Sequence, residues 1–404
     1  MAEGKFVEPD LKFIKDVTSS GADTLKKCYQ CATCSIVCKI SPDTSPFPRK
    51  EMIWAQWGLK DKLLSDPDIW LCHHCSDCTI YCPRGAKPGE VLNAIRKMSI
   101  EHYAPVKGIA KLAGSFGGVL VLLLIPAVIL LIMMLINGTL PPPSLAEGEK
   151  IVYGEVFPQL TLVDPVFLAA ALFGIFSAIA GVKKYWASIN ASNAPAGTKM
   201  ALKDSIIATL KEFLAHSKFD ECGERKDRKT AHMLVFWAFV GLFIVTNSVL
   251  VIHWANEFGF TFLGPDTPLS QIHPLKLLAN ISGIALIIGC LMLIGSRMKA
   301  SESGAGGSFF DWSLIFVIFT VGVTGFLAEY VRVAGAAGAA YTIYFIHLMF
   351  VFYLFAFMPY TKFAHIVYRF TAIVYAKYTG RELVTEPVIK YPEVKAEQVP
   401  SSAG

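Results

Sequence analysis

Apolar positions along this chain gather into six long runs separated by polar segments. Residues 112–136 contain no charged side chain, a length sufficient for a helix to cross a bilayer. Further runs at 165–182, 231–254, 277–296, 312–328 and 341–361 predict five more membrane helices, the second and fifth short but sufficient. Pro126 interrupts the first run. A seventh apolar stretch, 202–214, is broken by Lys203, Asp204, Lys211 and Glu212, which predicts an amphipathic helix lying on the membrane surface. Upstream, residues 49–65 and 90–103 carry apolar positions at helical spacing. The pattern predicts an all-α chain. A soluble domain is expected over 1–105, a six-helix membrane domain over 106–380, and a loosely ordered tail, rich in Pro, Glu, Lys and Val, over 381–404.

Composition agrees with a membrane protein: 53% of residues are hydrophobic and 17% charged. The net charge of +5 is modest and unevenly placed, which argues against a nucleic-acid binder. The opening residues, MAEGKFVEPDLKF, have no basic segment followed by an apolar stretch, so no cleavable signal peptide is expected. Loop 183–229 holds ten Lys or Arg, among them Lys218, Arg225, Lys226 and Arg228. Loop 137–162 holds Lys150 alone, and loop 255–275 holds no basic residue. By the positive-inside rule, both termini and the first domain face the cytoplasm of a multi-pass inner-membrane protein.

Eight of the ten cysteines lie between positions 28 and 82. Cys28, Cys31, Cys34 and Cys38 form one C-x2-C-x2-C-x3-C run, and Cys72, Cys75, Cys78 and Cys82 form another. Three thiolates two residues apart can wrap one [4Fe–4S] cubane, while the fourth points away to the neighbouring one. The spacing predicts one cluster on Cys28, Cys31, Cys34 and Cys82, and a second on Cys72, Cys75, Cys78 and Cys38. Zinc fits poorly, because its sites use paired knuckles with four ligands in total. With helical rather than strand-forming spacers, the expectation is a helical ferredoxin domain fused to a six-helix transmembrane bundle. Trp54, Trp57 and Trp70 are expected to pack around the clusters, and His73 and His74 to tune one of them. Cys222 and Cys290 read as a loop bystander and a small buried membrane-helix residue.

Four histidines bracket two antiparallel membrane helices: His232 and His253 on the third, His347 and His365 on the sixth. The separations of 21 and 18 residues correspond to roughly 32 and 27 Å along a helix. His232 and His365 fall on the cytoplasmic side, His253 and His347 on the outer side. Two level-matched pairs of neutral imidazoles suit the axial positions of two haem b groups. His273 is the alternative to His253. A wire of this kind, with no soluble carrier outside, calls for a membrane quinone. His273, Lys276, Glu257 and Glu329 are the candidates for proton exchange beside it.

These motifs carry a family resemblance. The cysteine runs with helical spacers resemble the C-type iron–sulfur subunit of heterodisulfide reductases. Helices two to six resemble the b-type cytochrome, or gamma, subunit of respiratory nitrate reductase. The fusion, over about residues 20–375, is similar to the C-type subunit of quinone-interacting membrane-bound oxidoreductase complexes. The resemblance implies partner subunits carrying flavin and iron–sulfur centres, similar to the A-type subunit of heterodisulfide reductases. It also implies exchange of electrons between menaquinone and adenylylsulfate reductase in sulfate respiration. His347 and His365 match that family's pair, and His232 matches its cytoplasmic-side ligand. A second family histidine, expected after Val240-Gly241, is replaced by Leu242, so the outer haem rests on His253.

Other readings predict different features. A membrane subunit of a heterodisulfide-reductase-like or sulfite-reduction system would share this wire but serve another substrate. A transporter or sensor with a cluster domain would lack haem and carry broken, polar helices. No Gly-rich dinucleotide fingerprint and no nucleophile constellation occurs, so chemistry beyond quinone redox is expected on partner subunits.

Overall fold

A computed structural model describes residues 8–42, 45–143, 149–192, 199–216, 228–265, 267–302 and 306–381. Cys222, Lys218, Arg225, Lys226 and the tail from 382 onward lie outside these residues. Among the described residues the chain is all helix, turn and loop, with no strand.

Six helices are long and apolar enough to cross a membrane: Phe116–Ile136, Gln159–Ser192, Arg228–Glu257, Pro274–Glu302, Phe309–Val333 and Ala337–Tyr360. They are called here the first to sixth membrane helices. The uncharged run 112–136 is not one helix. A short helix, Lys107–Ala113, ends at Gly114, and Ser115 starts the first membrane helix by accepting a hydrogen bond from the Gly118 amide at 3.2 Å. Pro126 lies buried inside that helix. The second membrane helix opens with a π-helical turn, Gln159–Val163, and extends well beyond its apolar run, to Ser192.

Consecutive helices from the third to the sixth pack side by side, and the sixth also packs on the first and second. Small residues let the third and fourth approach closely. A Cβ on Gly241 would collide with Ser282 Oγ, and one on Gly289 would lie 3.1 Å from the Ala231 carbonyl oxygen. The surface helix Leu202–Ala215 packs on a terminal helix, His365–Thr379, where Lys377 pairs with Glu212 at 2.9 Å.

The N-terminal part is built from short helices and one long one, Pro88–Tyr103. Residues 49–65 form two helices rather than one, Arg49–Gln56 and Lys60–Leu64. The break is Gly58, at φ +67°, where a Cβ would lie 2.9 Å from the Asp10 backbone. The apolar core of this part is continuous with the adjoining end of the bundle. Phe13, Leu25, Met52, Trp70 and Ile95 share one cluster with Tyr185, Ile189, Phe310, Tyr368 and Ala372. Asn93 donates to Asp311 at 2.7 Å across the same boundary and accepts from Lys362 at 3.0 Å. Lys362 also pairs with Asp311. Burial first, and then Arg297, Arg96 and Arg228, push the Lys362 ammonium well below its ordinary pKa.

Candidate metal centres and a histidine chain

Both cysteine runs fold alike. In the first, Gln30 and Ala32 take left-handed backbone (φ 67° and 69°); in the second, His74 and Ser76 occupy the same places (φ 52° and 73°). Non-glycine residues adopt this region at a cost. The conformation turns amides inward: the His74 N–H donates to Cys72 Sγ at 3.3 Å. Each run then enters a one-turn helix, Thr33–Ile36 or Asp77–Ile80, which swings the fourth cysteine away from its own run. Sequence reading missed the left-handed residues because none of the four is glycine.

Two cavities result. One is lined by Cys38, Cys72, Cys75 and Cys78. The other is lined by Cys28, Cys31, Cys34 and Cys82. The electrostatics sort the sulfurs in the same way. Burial first, and then Cys28, Cys31 and Cys82, push the Cys34 thiol up to about 11. Burial and then Cys72 raise Cys38, although Cys38 belongs to the first run. Burial and mutual repulsion keep these sulfurs as neutral thiols on their own, and a cationic centre is what would stabilise them as thiolate ligands. A single zinc does not suit them. Among the described residues no three cysteine sulfurs lie within 4.8 Å of one another, whereas tetrahedral zinc would hold sulfurs about 3.8 Å apart. The donor sets and their wider spacing fit two cubane clusters.

The two cavities differ in setting. Around the first, Arg369 donates to the Cys72 carbonyl at 3.2 Å and to His73 Nε2 at 2.6 Å. Arg228 donates to the His74 carbonyl at 2.8 Å, and Arg96 donates to the carbonyls of Ile69 (2.7 Å) and Cys72. Arg228 and Arg369 clamp the loop against the bundle, and Arg96 ties it to the long helix Pro88–Tyr103. Burial holds His74 neutral, down to about 3, so its 3.2 Å contact with Glu90 is a hydrogen bond from a neutral imidazole. Around the second cavity, Cys31, Tyr29 and Tyr81 are exposed. Trp70 is buried and stacks on Tyr368 (5.1 Å, 19°), and Trp54 lies beneath Lys50 and Lys62. Trp57 does not pack around a centre as the sequence pattern suggested; it is 55% exposed.

Arg228 and Arg369 stand one turn from His232 and His365 respectively, so the clamp and the histidines share helices. The rings of His232 and His365 are 6.5 Å apart, centroid to centroid, and nearly perpendicular at 78°. Two imidazoles on one metal, at roughly 2 Å per bond, place their centroids about 6 Å apart. His365 Nδ1–H donates to the Lys362 carbonyl at 2.7 Å, leaving Nε2 as the lone-pair nitrogen. Burial keeps His365 neutral, at about 4. These residues fit an axially ligated haem. On the other side of His232 stands His216, whose Nε2 lies 3.1 Å from His232 Nδ1. Sequence reading passed over His216; its position just past an amphipathic helix was the available signal.

Towards the other end of the bundle, Thr324 Oγ1 donates to the Thr320 carbonyl at 2.6 Å and so accepts from His347 Nδ1–H at 3.0 Å. His347 Nε2 is again the lone-pair nitrogen. Gly325 faces this ring: a Cβ there would lie 3.1 Å from Cε1. His253 is buried, with Asp164 among its electrostatic neighbours; Asp164 accepts from Trp254 at 2.8 Å. His253 and His347 are thus seated among different neighbours, unlike the His232–His365 pair. Of the proton-exchange candidates, Lys276 and Glu329 come together at 2.7 Å, and Glu329 also pairs with Arg332 at 3.0 Å and accepts from Gln271. His273 accepts from the Leu275 amide at 3.3 Å, and Glu257 is exposed.

Comparison with known proteins bears on the first of these sites. Residues 24–86 match the model of the 4Fe-4S dicluster domain. The chain is 35% identical over 105 residues to a protein of Archaeoglobus profundus that is like the C-type subunit of heterodisulfide reductase, covering 26% of this chain and 56% of that protein. It is 34% identical over 109 residues to the C-type subunit of the H(2):CoB-CoM heterodisulfide,ferredoxin reductase of Methanothermobacter marburgensis, covering 26% and 57%. A longer match, 26% identical over 200 residues, covers 47% of this chain and 72% of the E-type subunit of the dihydromethanophenazine:CoB–CoM heterodisulfide reductase of Methanosarcina barkeri. The chain spans about half the length of the C-type relatives it matches. No solved structure matches it.

Proposed function

We propose that this chain is the membrane-anchoring electron-transfer subunit of a quinone-linked oxidoreductase complex. A dicluster domain joined to six apolar helices is the starting point. Cys28, Cys31, Cys34 and Cys82 hold one [4Fe–4S] cluster; Cys72, Cys75, Cys78 and Cys38 hold the other. His232 and His365 hold a haem b at the cytoplasmic side, and His347 with His253 a second towards the outer side. Bound there, these groups supply single-electron transfer between a membrane quinone, menaquinone by the family resemblance, and cytoplasmic flavin and iron–sulfur subunits.

One observation carries the reading. Arg228 and Arg369, each a helical turn from a cytoplasmic-side histidine, both grip the loop of the Cys38–Cys72–Cys75–Cys78 centre. These contacts support an order of sites in which electrons pass between the histidine pair, this centre and then the Cys28–Cys31–Cys34–Cys82 centre, whose exposed Cys31 would face partner subunits. Glu329, held between Lys276 and Arg332, is the best-placed candidate for the quinone end. The loop charges support an inner-membrane location with both termini in the cytoplasm. Partners similar to the A-type subunit of heterodisulfide reductases, and a link to adenylylsulfate reductase in sulfate respiration, rest on the resemblance.

A second reading, a heterodisulfide-reductase-type membrane subunit, is favoured by the similarity to the C-type and E-type subunits of such enzymes. Both readings need the same wire and differ in the partner at its soluble end. A reduced-minus-oxidised spectrum of the purified protein, with haem and iron quantified per chain, tests the wire. Two haems and two four-iron clusters are expected, and a spectrum without b-type haem overturns the membrane half. Co-purified partners, assayed with adenylylsulfate reductase and with disulfide substrates, separate the two readings.

A further inference from the structure

His216 ends the surface helix in the left-handed conformation, φ 52° and ψ 28°, with its amide donating to the Glu212 carbonyl at 3.0 Å. Glycine is the usual residue at such a cap. A histidine there bears a backbone cost, which points to a use for its side chain. The ring is 6% exposed and packs between Phe213 and Phe236. Its Nδ1 lies 3.3 Å from the Leu214 carbonyl oxygen, and its Nε2 lies 3.1 Å from His232 Nδ1.

With both imidazoles neutral, one proton arrangement satisfies these two contacts together. His216 Nδ1–H donates to the Leu214 carbonyl. His216 Nε2 then carries a lone pair and accepts from His232 Nδ1–H. His232 Nε2 then carries the lone pair; the His365 ring lies 6.5 Å away, centroid to centroid, with its own Nδ1–H held by the Lys362 carbonyl. Metal-ligating histidines characteristically donate their second N–H to such an acceptor, which fixes the ring and raises its basicity.

We propose that His216 is a positioning residue: by accepting from His232 Nδ1–H it fixes the tautomer and rotation that turn His232 Nε2 towards a haem iron shared with His365. This rests on the reading of His232 and His365 as axial ligands. The surface helix thereby becomes part of the haem site. Its seating through Glu212–Lys377 and Phe213–Phe370 couples His232 to the helix that carries His365.

The test uses the purified full-length protein. His216→Gly keeps the left-handed cap and removes the imidazole, whereas His216→Gln restores an acceptor. In His216→Gly, haem content is expected to stay at the wild-type level. The midpoint potential of the cytoplasmic-side haem should rise, because a less basic ligand stabilises the ferric state less. The ferric low-spin resonance of that haem should shift as the His232 ring loses its fixed plane, and His216→Gln should return both towards wild type. A His216→Gly protein with unchanged potential and resonance overturns the proposal. So does one that loses haem as completely as His232→Ala, since His216 would then be a ligand or a structural support. If His232→Ala and His365→Ala both retain full haem, the haem reading fails first, whatever His216→Gly does.

Discussion

Arg369 lies one helical turn beyond His365, and its guanidinium donates to the carbonyl of Cys72 at 3.2 Å. A single short helix therefore carries a candidate haem ligand and a direct hold on a candidate cluster ligand. Hydrogen bonds from a charged group contribute about 1.5–3 kcal/mol each, so their loss should loosen this junction without unfolding either side. In Arg369→Gln, haem and iron contents are expected to stay at wild-type levels and haem reduction by quinol to remain fast. Reduction of the clusters should slow. Stopped-flow spectra that follow haem and iron–sulfur absorbance separately would read this out, and an unchanged cluster phase would remove Arg369 from the path.

The crossing of Cys38 and Cys82 between the runs gives a pairing test. Cys38 lines a cavity with Cys72, Cys75 and Cys78, and Cys82 lines one with Cys28, Cys31 and Cys34. Cys38→Ser and Cys72→Ser should damage the same centre, so the double variant should lose little more iron than either single one. Cys38→Ser combined with Cys28→Ser should damage both centres. Residues acting in one unit are non-additive and distant ones additive. Iron per chain and the electron paramagnetic resonance of the reduced protein measure the outcome. Uncrossed ligation would reverse the pattern, with Cys38 and Cys28 behaving as one unit.

The cysteine spacing already pointed to the grouping in which Cys38 lines a cavity with Cys72, Cys75 and Cys78, and Cys82 lines one with Cys28, Cys31 and Cys34. Six membrane helices were equally legible, since length and apolarity are local properties. The rest depended on tertiary context. The run 49–65 has helical periodicity throughout, and Gly58 alone marks the break, a position fixed by the distant Asp10 backbone. Trp57 gave no sign that it would face solvent while Trp70 is buried. His216 lies outside every apolar run, so only folding the surface helix onto the bundle brings it to His232. Arg228 counted in the sequence as a loop charge setting orientation; its contact with the cluster loop, like that of Arg369, required both domains in place.

Glu51, Asp66 and Asp68 form a buried acidic group that Lys50 and Arg381 neutralise in part. Three carboxylates face two cations, and burial first, then Asp66, raises Glu51 well above its ordinary value of 4.5. The same causes raise Asp68 to about 6. A carboxyl with a raised folded-state pKa binds more protons folded than unfolded, so stability falls as pH climbs from about 4.5 through 6 and above. Glu51→Gln removes the group that must stay protonated. The variant should be at least as stable as wild type near neutral pH, with a shallower decline in melting temperature between pH 5 and 8. Thermal unfolding of the purified protein checks this. A variant with an equally steep decline would place the excess proton elsewhere.

Gly325 faces the ring of His347, and a Cβ there would come within 3.1 Å of Cε1. Alanine demands a shift of a few tenths of an ångström, whereas valine adds two methyl groups where the ring now lies and must displace it. His347 Nδ1 is held by Thr324 at 3.0 Å on the same fifth membrane helix, so the ring has little freedom to yield. If His347 ligates the outer haem, Gly325→Val should lose that haem and keep the one that depends on His365. Gly325→Ala should keep both, with a shifted outer-haem spectrum. Haem per chain should fall by half in Gly325→Val, and its residual spectrum should be the component that disappears in His365→Ala. Two intact haems in Gly325→Val would mean that His347 is not a ligand. The alternative pairing, with the outer site built on His253 or His273, would then have to be tested by replacing each in turn.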